Sequence, residues 1–332
     1  MPLINNYYGN VSTPQLCKQV DNFKGVIAPG LKALLTWSAP TIDEDSSFVG
    51  TRIVRKVGSV PKNKSDGTVV YEGTELTYTD TGLTEGTTYY YRAFAYNIKM
   101  AYQTAMRAVS MTDISYESNF ADNDWDKIIY ACHSGNVPDT WVAGDSKTMA
   151  IDGTDYLVDI VGKNHDTYTA GGIAPLTFGL HDCYGTKYPM NSSGTNSTGW
   201  NDSEMRTETL PAILAKMPEN IQNGIRSVNK LTATSGSDST IKTASDKLFT
   251  FSAMEVYGSA ESSHSGEGKQ YDYYKAGNSK VKKVGGTVSW WWLRSPIAET
   301  SDRFCAVSNN GSINITLSNA ANSNGVCFGF CF

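Results

Sequence analysis

The sequence predicts a multidomain protein, with an N-terminal all-β sandwich followed by a larger α+β domain. Two patterns carry this expectation. Between residues 24 and 111, short β-type runs alternate with Gly, Pro and Asp, and from residue 124 helix-period and strand-period segments mix with long polar loops. At 332 residues the chain is long enough to fill two cores. The expected boundaries are an N-terminal segment at 1–23, the sandwich at 24–111, a linker at 112–123 and the second domain at 124–332.

Bulk composition narrows the function classes. A hydrophobic content of 40% with 18% charged residues is that of a globular chain and excludes global disorder. A net charge of -5, with no dense Lys/Arg cluster beyond the short run Lys280–Lys283, argues against a nucleic-acid partner. No stretch approaches the roughly 20 apolar residues of a membrane helix, so no membrane span is expected. The start, Met1-Pro2-Leu3-Ile4-Asn5-Asn6-Tyr7, lacks a charged and then apolar leader. Synthesis in a cytoplasm without a signal peptide is the expectation.

In the first domain, Leu34–Trp37, Thr51–Lys56, Thr68–Tyr71 and Tyr89–Tyr96 are the β-type runs. Alternation in the last places Tyr89, Tyr91, Ala93 and Ala95 inward and Arg92 and Tyr96 outward. Leu83-Thr84-Glu85-Gly86-Thr87-Thr88-Tyr89 fits a tyrosine corner, in which the hydroxyl ties the strand start to an upstream backbone group. With Trp37 on an early strand and Pro40 after it, this region resembles an immunoglobulin-like, fibronectin type III sandwich. The resemblance implies a spacer or adaptor.

The second domain opens on a helix capped by Asp122 or Asn123, with Trp125, Ile128, Ile129 and Cys132 on one face. Tyr156–Val161 reads as a strand. Thr209 is the expected cap of a second helix, with Pro211 in its first turn, a stripe of Leu210, Ile213, Leu214 and Met217, and Pro218 as its stop. Lys247–Ser252 is β-like. The Ser/Thr/Gly/Asn-rich stretches 191–201, 232–245 and 258–268 are long enough to be functional or mobile.

Catalytic constellations are absent from the pattern. No Gly-x-Ser-x-Gly elbow, phosphate loop or dinucleotide fingerprint occurs. His165-Asp166 reads as a loop with a satisfied imidazole, and Glu204 with Glu208 lacks the aromatic platform of a sugar-cleaving pair. Cys132-His133 and His181-Asp182-Cys183 do not offer the paired spacing of structural zinc sites, so the six cysteines are expected as buried thiols. The sequence reading therefore assigns no catalytic residue, metal or cofactor.

The C-terminal region differs. Trp290-Trp291-Trp292 on a strand splits its indoles between two faces, one of them expected to be core, and Arg294 is placed to pair with a buried carboxylate or chain carbonyl. Phe304–Val307, a turn at Asn309-Asn310-Gly311, and Ser312–Leu317 read as a hairpin. Its exposed set is Ala306, Ser308, Ser312, Asn314, Thr316 and Ser318 if Phe304, Val307 or Ile313, Ile315 and Leu317 mark the core, and the two strands give inconsistent phases.

Residues from about Trp125 to Phe332 resemble a bacterial and phage domain family of C-type-lectin type, related in fold to formylglycine-generating enzymes. The motifs that carry the resemblance include Gly144-Asp145, Asn164-His165-Asp166, Tyr188-Pro189-Met190-Asn191, Gly199-Trp200, Glu255-Val256-Tyr257-Gly258, Gln270-Tyr271, Trp291-Trp292-x-Arg294-Ser295-Pro296, Phe304-Cys305 and Gly325-Val326-x-Phe328-Gly329-Phe330. Some members are variable proteins of diversity-generating retroelements. The resemblance implies a hypervariable segment at about 289–324 on a fixed C-type-lectin-like frame. The implied ligand-binding positions are Leu293, Ile297, Glu299, Ser301, Asp302, Arg303, Ala306, Ser308, Asn309, Ser312, Asn314, Thr316, Ser318 and Asn319. Trp291, Trp292, Arg294, Gly325, Phe328 and Phe330 are the implied frame. The catalytic cysteines of the related enzymes have no assigned counterpart among Cys305, Cys327 and Cys331. The implied protein is an adhesin of a phage tail or bacterial cell surface. Its first domain attaches to that assembly, its second binds a host-surface protein or glycan, and homotrimers supply multivalency. A formylglycine-generating-like enzyme and a purely structural virion protein are the rival expectations.

Overall fold

The computed structural model describes residues 18–28, 32–40, 48–84, 86–98, 100–103, 109–113, 116–316 and 318–332. Cys17, Glu85 and Leu317 lie outside these residues, as do most of the expected N-terminal segment and residues 114 and 115 of the expected linker. The chain divides into two compact units, Met1–Tyr116 and Glu117–Phe332.

The first unit contains β1 (Asp21–Ala28), β2 (Lys32–Ser38), β3 (Phe48–Val57), β4 (Thr68–Gly73), β5 (Thr77–Asp80), β6 (Thr88–Asn97) and β7 (Val109–Asp113). They form two antiparallel sheets, ordered β1-β2-β5 and β4-β3-β6-β7. Alternation on β2 and β6 sends Ala33, Leu35, Trp37, Tyr91, Ala93 and Ala95 into the shared core with Ile53 and Leu83. The Tyr89 hydroxyl accepts the Thr84 backbone N–H at 3.0 Å, closing the tyrosine corner. Strand order and corner together make this a fibronectin type III-like sandwich. β1 starts at Asp21, inside the segment expected to precede the sandwich, because Phe23 packs edge-on against Trp37 at 6.1 Å. Arg92 and Tyr96 do face away from the core, yet both are buried: Tyr96 joins Val54, Phe94 and Tyr102 in a second, smaller cluster.

The second unit opens on a 3-10 turn, Phe120–Asp122, and α1 (Trp125–Ser134). The segment expected as a linker thus supplies a strand end and a folded turn. Its polarity hides Phe120, which is fully buried and packs on Trp125, Trp141 and Phe178. Asp124, rather than Asp122 or Asn123, is the N-cap of α1, and Gly135 in the left-handed region ends it. Asn123 instead is buried, binding the backbone of Glu117 and Asn119.

Then come β8 (Ser146–Ile151), β9 (Thr154–Lys163), β10 (Leu176–Leu180), a π-turn at Met205–Thr209, α2 (Leu210–Leu214), α3 (Glu219–Gly224), β11 (Val228–Ala233), β12 (Ile241–Asp246) and β13 (Phe249–Thr250). After these lie α4 (Ala253–Tyr257), α5 (Asp272–Lys275), β14 (Lys282–Val284), β15 (Thr287–Ser289), β16 (Trp291–Pro296), β17 (Phe304–Val307), β18 (Ile313–Asn314) and β19 (Phe328–Cys331). Thr209 has helical dihedrals and makes no side-chain cap bond, because the π-turn already starts the helical path at Met205. The main sheet is antiparallel in the order β13-β19-β10-β9-β8, and β16-β17-β18 form a separate three-stranded sheet. Both units are rich in strand, so the protein is multidomain and β-rich.

Candidate functional site

β16 is buried along its whole length. Trp291 and Trp292 have no exposed surface, so both faces of this strand are covered, where the sequence suggested one open face. Buried indoles need acceptors. Trp291 Nε1 donates to the Lys280 carbonyl at 2.9 Å and Trp292 Nε1 to the Tyr188 carbonyl at 2.8 Å. The Gly325 carbonyl accepts the Trp292 N–H at 3.0 Å, and a Cβ on Gly325 would overlap Cys183 Sγ. Phe328 and Phe330 lie on β19, also without exposed surface. All six expected frame residues are therefore interior.

Arg294 explains why an arginine stands in this strand. Its guanidinium pairs in a two-pronged way with Glu255, Nη1 to Oε2 at 2.6 Å and Nη2 to Oε1 at 2.8 Å. Further donors reach the Thr250, Leu231 and Glu267 carbonyls. Glu255 is held twice, since Ser252 and Glu255 also form the capping box of α4. Lys230 extends the cluster: Nζ lies 2.6 Å from Glu255 Oε1, 2.8 Å from Asp166 Oδ1 and 2.8 Å from Tyr271 Oη. Asp166 Oδ2 accepts from Thr177 and Tyr271 hydroxyls at 2.7 Å each. Burial opposes ionisation of Asp166, but Lys230 and these donors outweigh it and hold the carboxyl down at about 2. Burial pushes the Glu267 carboxyl up, against bonds from the Ala233 N–H and the Thr232 hydroxyl.

This polar core gathers the motif residues that looked unrelated along the chain: Asp166, Glu255, Tyr271 and Arg294. The sequence reading missed Lys230. An isolated lysine in Val228-Asn229-Lys230-Leu231 resembles any solvent-facing strand residue, and the only available signal was the apolar alternation that puts it in phase with buried Val228 and Thr232. A cavity of about 390 Å³ opens above the cluster beside His165, whose ring stacks on Tyr271 at 3.9 Å. Lys230 bridges the two carboxylates, Asp166 and Glu255.

The expected display positions divide sharply. Glu299, Ser301, Asn309, Ser312 and Thr316 are exposed, and Asp302, Arg303, Ser308, Asn314 and Asn319 are partly so. Leu293, Ile297, Ala306 and Ser318 are buried and cannot meet a ligand from this surface. Leu293 belongs to β16. Ala306 lies on β17, the middle strand of its sheet, where all four residues are covered and simple alternation does not apply. The Ser318 carbonyl takes the Phe304 N–H, which draws that residue inward. The turn Asn309-Asn310-Gly311 forms as expected, but β18 is only Ile313–Asn314.

What holds the 297–303 turn is mostly backbone. The Ile297 N–H donates to the Arg303 carbonyl, Ala298 N–H to Ser262, and Glu299 N–H to Gly236. Asn196 clasps the other limb, its N–H on the Ser301 carbonyl and its Nδ2 on the Arg303 carbonyl at 2.7 Å. The three long polar stretches thus converge on one turn, each providing a fixed strut. Asp302 and Asn319 tie the two limbs of the segment, Nδ2 to Oδ2 at 3.1 Å and Ala320 N–H to the Asp302 carbonyl at 2.8 Å.

Cys132, Cys183, Cys305, Cys327 and Cys331 are free and buried. Burial raises all five thiols, Cys327 to about 11. Cys327 donates to the Leu180 carbonyl at 3.2 Å.

Residues 175–328 match a family described as a domain of unknown function (DUF6273). No curated protein is similar in sequence to the chain. Similar solved structures include the spore cortex lytic enzyme SleM of Clostridium perfringens, at 14% identity over 30% of this chain and 28% of that one, with a TM-score of 0.23. An Fn3-like protein from Clostridium thermocellum is 22% identical over 32% of this chain and 97% of that one, with a TM-score of 0.23. A fibronectin type III domain derived from the human KIAA0970 protein is 21% identical over 30% and 75%, again at 0.23. The chain spans 28% of the length of the spore enzyme.

Proposed function

We propose that the second unit is a ligand-binding display domain of C-type-lectin type. In this reading residues 297–322 are a variable segment of the kind that diversity-generating retroelements rewrite. The observation that carries it is how the segment is held. The backbone of its first turn, residues 297–303, is fixed by bonds to Gly236, Ser262 and Asn196 outside the segment, while Glu299 and Ser301 on that turn and Asn309, Ser312 and Thr316 beyond it are exposed. Side chains that do not hold the fold are free to change without unfolding it. Beneath them, Trp291, Trp292 and Arg294 have every indole and most guanidinium donors committed.

Recognition would be noncovalent, through polar side chains against a host-surface protein or glycan. The first unit would attach the chain to a phage tail or bacterial surface, with homotrimers raising avidity. No catalytic role is assigned. The formylglycine-generating alternative needs an accessible, reactive cysteine, and the five cysteines among the described residues are buried.

The test is a combined exchange of Glu299, Ser301, Asn309, Ser312 and Thr316 for residues of other size and charge. Binding to a cell surface or immobilised partner should be lost or redirected, while the melting temperature moves by no more than about 2 °C, since surface substitutions usually lie within about 0.5 kcal/mol. Loss of folding would sink the reading.

A further inference from the structure

A second opening lies away from the display segment. Residues 168–171 and 225–227, with Ser245 on β12 and Lys247 just after it, line an open cavity of about 570 Å³, and none of its lining comes from residues 289–324. Its walls are locked together. The Thr169 N–H donates to the Ser227 carbonyl at 2.9 Å, the Thr169 and Ser245 hydroxyls meet at 2.8 Å, and the Arg226 N–H donates to the Cys331 carbonyl at 2.9 Å. Gly171 and Gly172 have φ of 95° and 90°, which shapes this rim in a way that L side chains resist.

The charge of the cavity runs against that of the chain. The protein carries a net -5, yet Arg226 and Lys247 line this opening and no Asp or Glu does. Among the described residues neither cation has a carboxylate partner. The nearest acid along the chain, Asp246, is already committed: Oδ1 to Arg206 Nε at 2.6 Å and Oδ2 to Trp200 Nε1 at 2.8 Å. Arg226 is held at the wall by the Tyr168 ring, 5.5 Å from its centroid, and the Tyr168 hydroxyl is itself tied to the Phe332 carbonyl. Arg226 and Lys247, exposed beside the hydroxyls of Thr169, Ser227 and Ser245, match an oxyanion on a hydroxylated ligand.

We propose that this cavity binds an acidic saccharide unit, with its carboxylate or sulfate on Arg226 and Lys247 and its hydroxyls on Thr169, Ser227 and Ser245. The site is independent of the display segment, so the two proposals stand or fall separately.

Sodium glucuronate and neutral glucose are the probes, titrated calorimetrically into the full chain at low ionic strength. Glucuronate should bind saturably at one site and glucose should not, and added salt should weaken the binding. Arg226→Gln and Lys247→Gln are surface changes expected to leave the melting temperature in place. Each should weaken glucuronate by about tenfold, the 1.4 kcal/mol scale of one charge-assisted contact. Absence of saturable glucuronate binding, equal binding of glucose, or unchanged affinity in the double variant would each overturn the assignment.

Discussion

At Asp166 one carboxylate reports on the whole polar core. Its native value of about 2 lies below the ordinary 3.8, so its ionised form is favoured by folding. The stability it contributes is present in full above pH 4 to 5 and is lost as pH falls toward 2. A shift of this size is worth about 2 kcal/mol. Glu255 is lowered as well and acts in the same direction, whereas Glu267 is raised and acts against them. Acid unfolding followed between pH 5 and 2 should therefore show a steep loss of stability for the second unit. Asp166→Asn should flatten that dependence, and an unchanged slope would remove Asp166 from the account.

At the scale of elements, the 297–303 turn depends on a close approach that only glycine permits. A Cβ at Gly236 would overlap the Thr300 and Ile297 carbonyl oxygens, and the Gly236 carbonyl accepts the Glu299 N–H. Gly236→Ala should lower the melting temperature by several degrees and loosen residues 297–303, seen as faster amide exchange there. Unaltered exchange would mean the strut is dispensable. Elements of this kind were only partly legible in the sequence. Local chemistry was readable: the tyrosine corner, the Asn309-Asn310-Gly311 turn, and the need of Arg294 for a carboxylate. Facing was not. β16 and β17 are covered on both sides, so period-two alternation placed Ala306 outward although it is buried, and Leu293, which the resemblance implied as a ligand contact, is buried too. Lys230 escaped for a different reason, since its partners come from residues 166, 255 and 271 and no local spacing announces them.

For the whole molecule, two separate cores imply two separable unfolding events. The first is built on Trp37, which is 5% exposed and packs on Phe23 and on Tyr71 at 5.5 Å. Scanning calorimetry of the full chain should show two transitions. Trp37→Ala, at a cost of about 3–5 kcal/mol, should lower one and leave the other in place. A single transition that shifts as one would show that the units are thermodynamically coupled.

The position of β19 has a consequence for protein synthesis. Phe328–Cys331 is an interior strand, paired with β10 on one side and β13 on the other, and it is encoded after residues 297–322. The ribosome must therefore read through residues 297–322 in frame before the main sheet can close. A stop codon or frameshift introduced within that stretch deletes the strand that joins both halves of the sheet. Such a chain would fail to fold and would be open to proteolysis. The reading frame through residues 297–322 is thus proofread by folding itself, because only a chain translated intact through it can close the sheet.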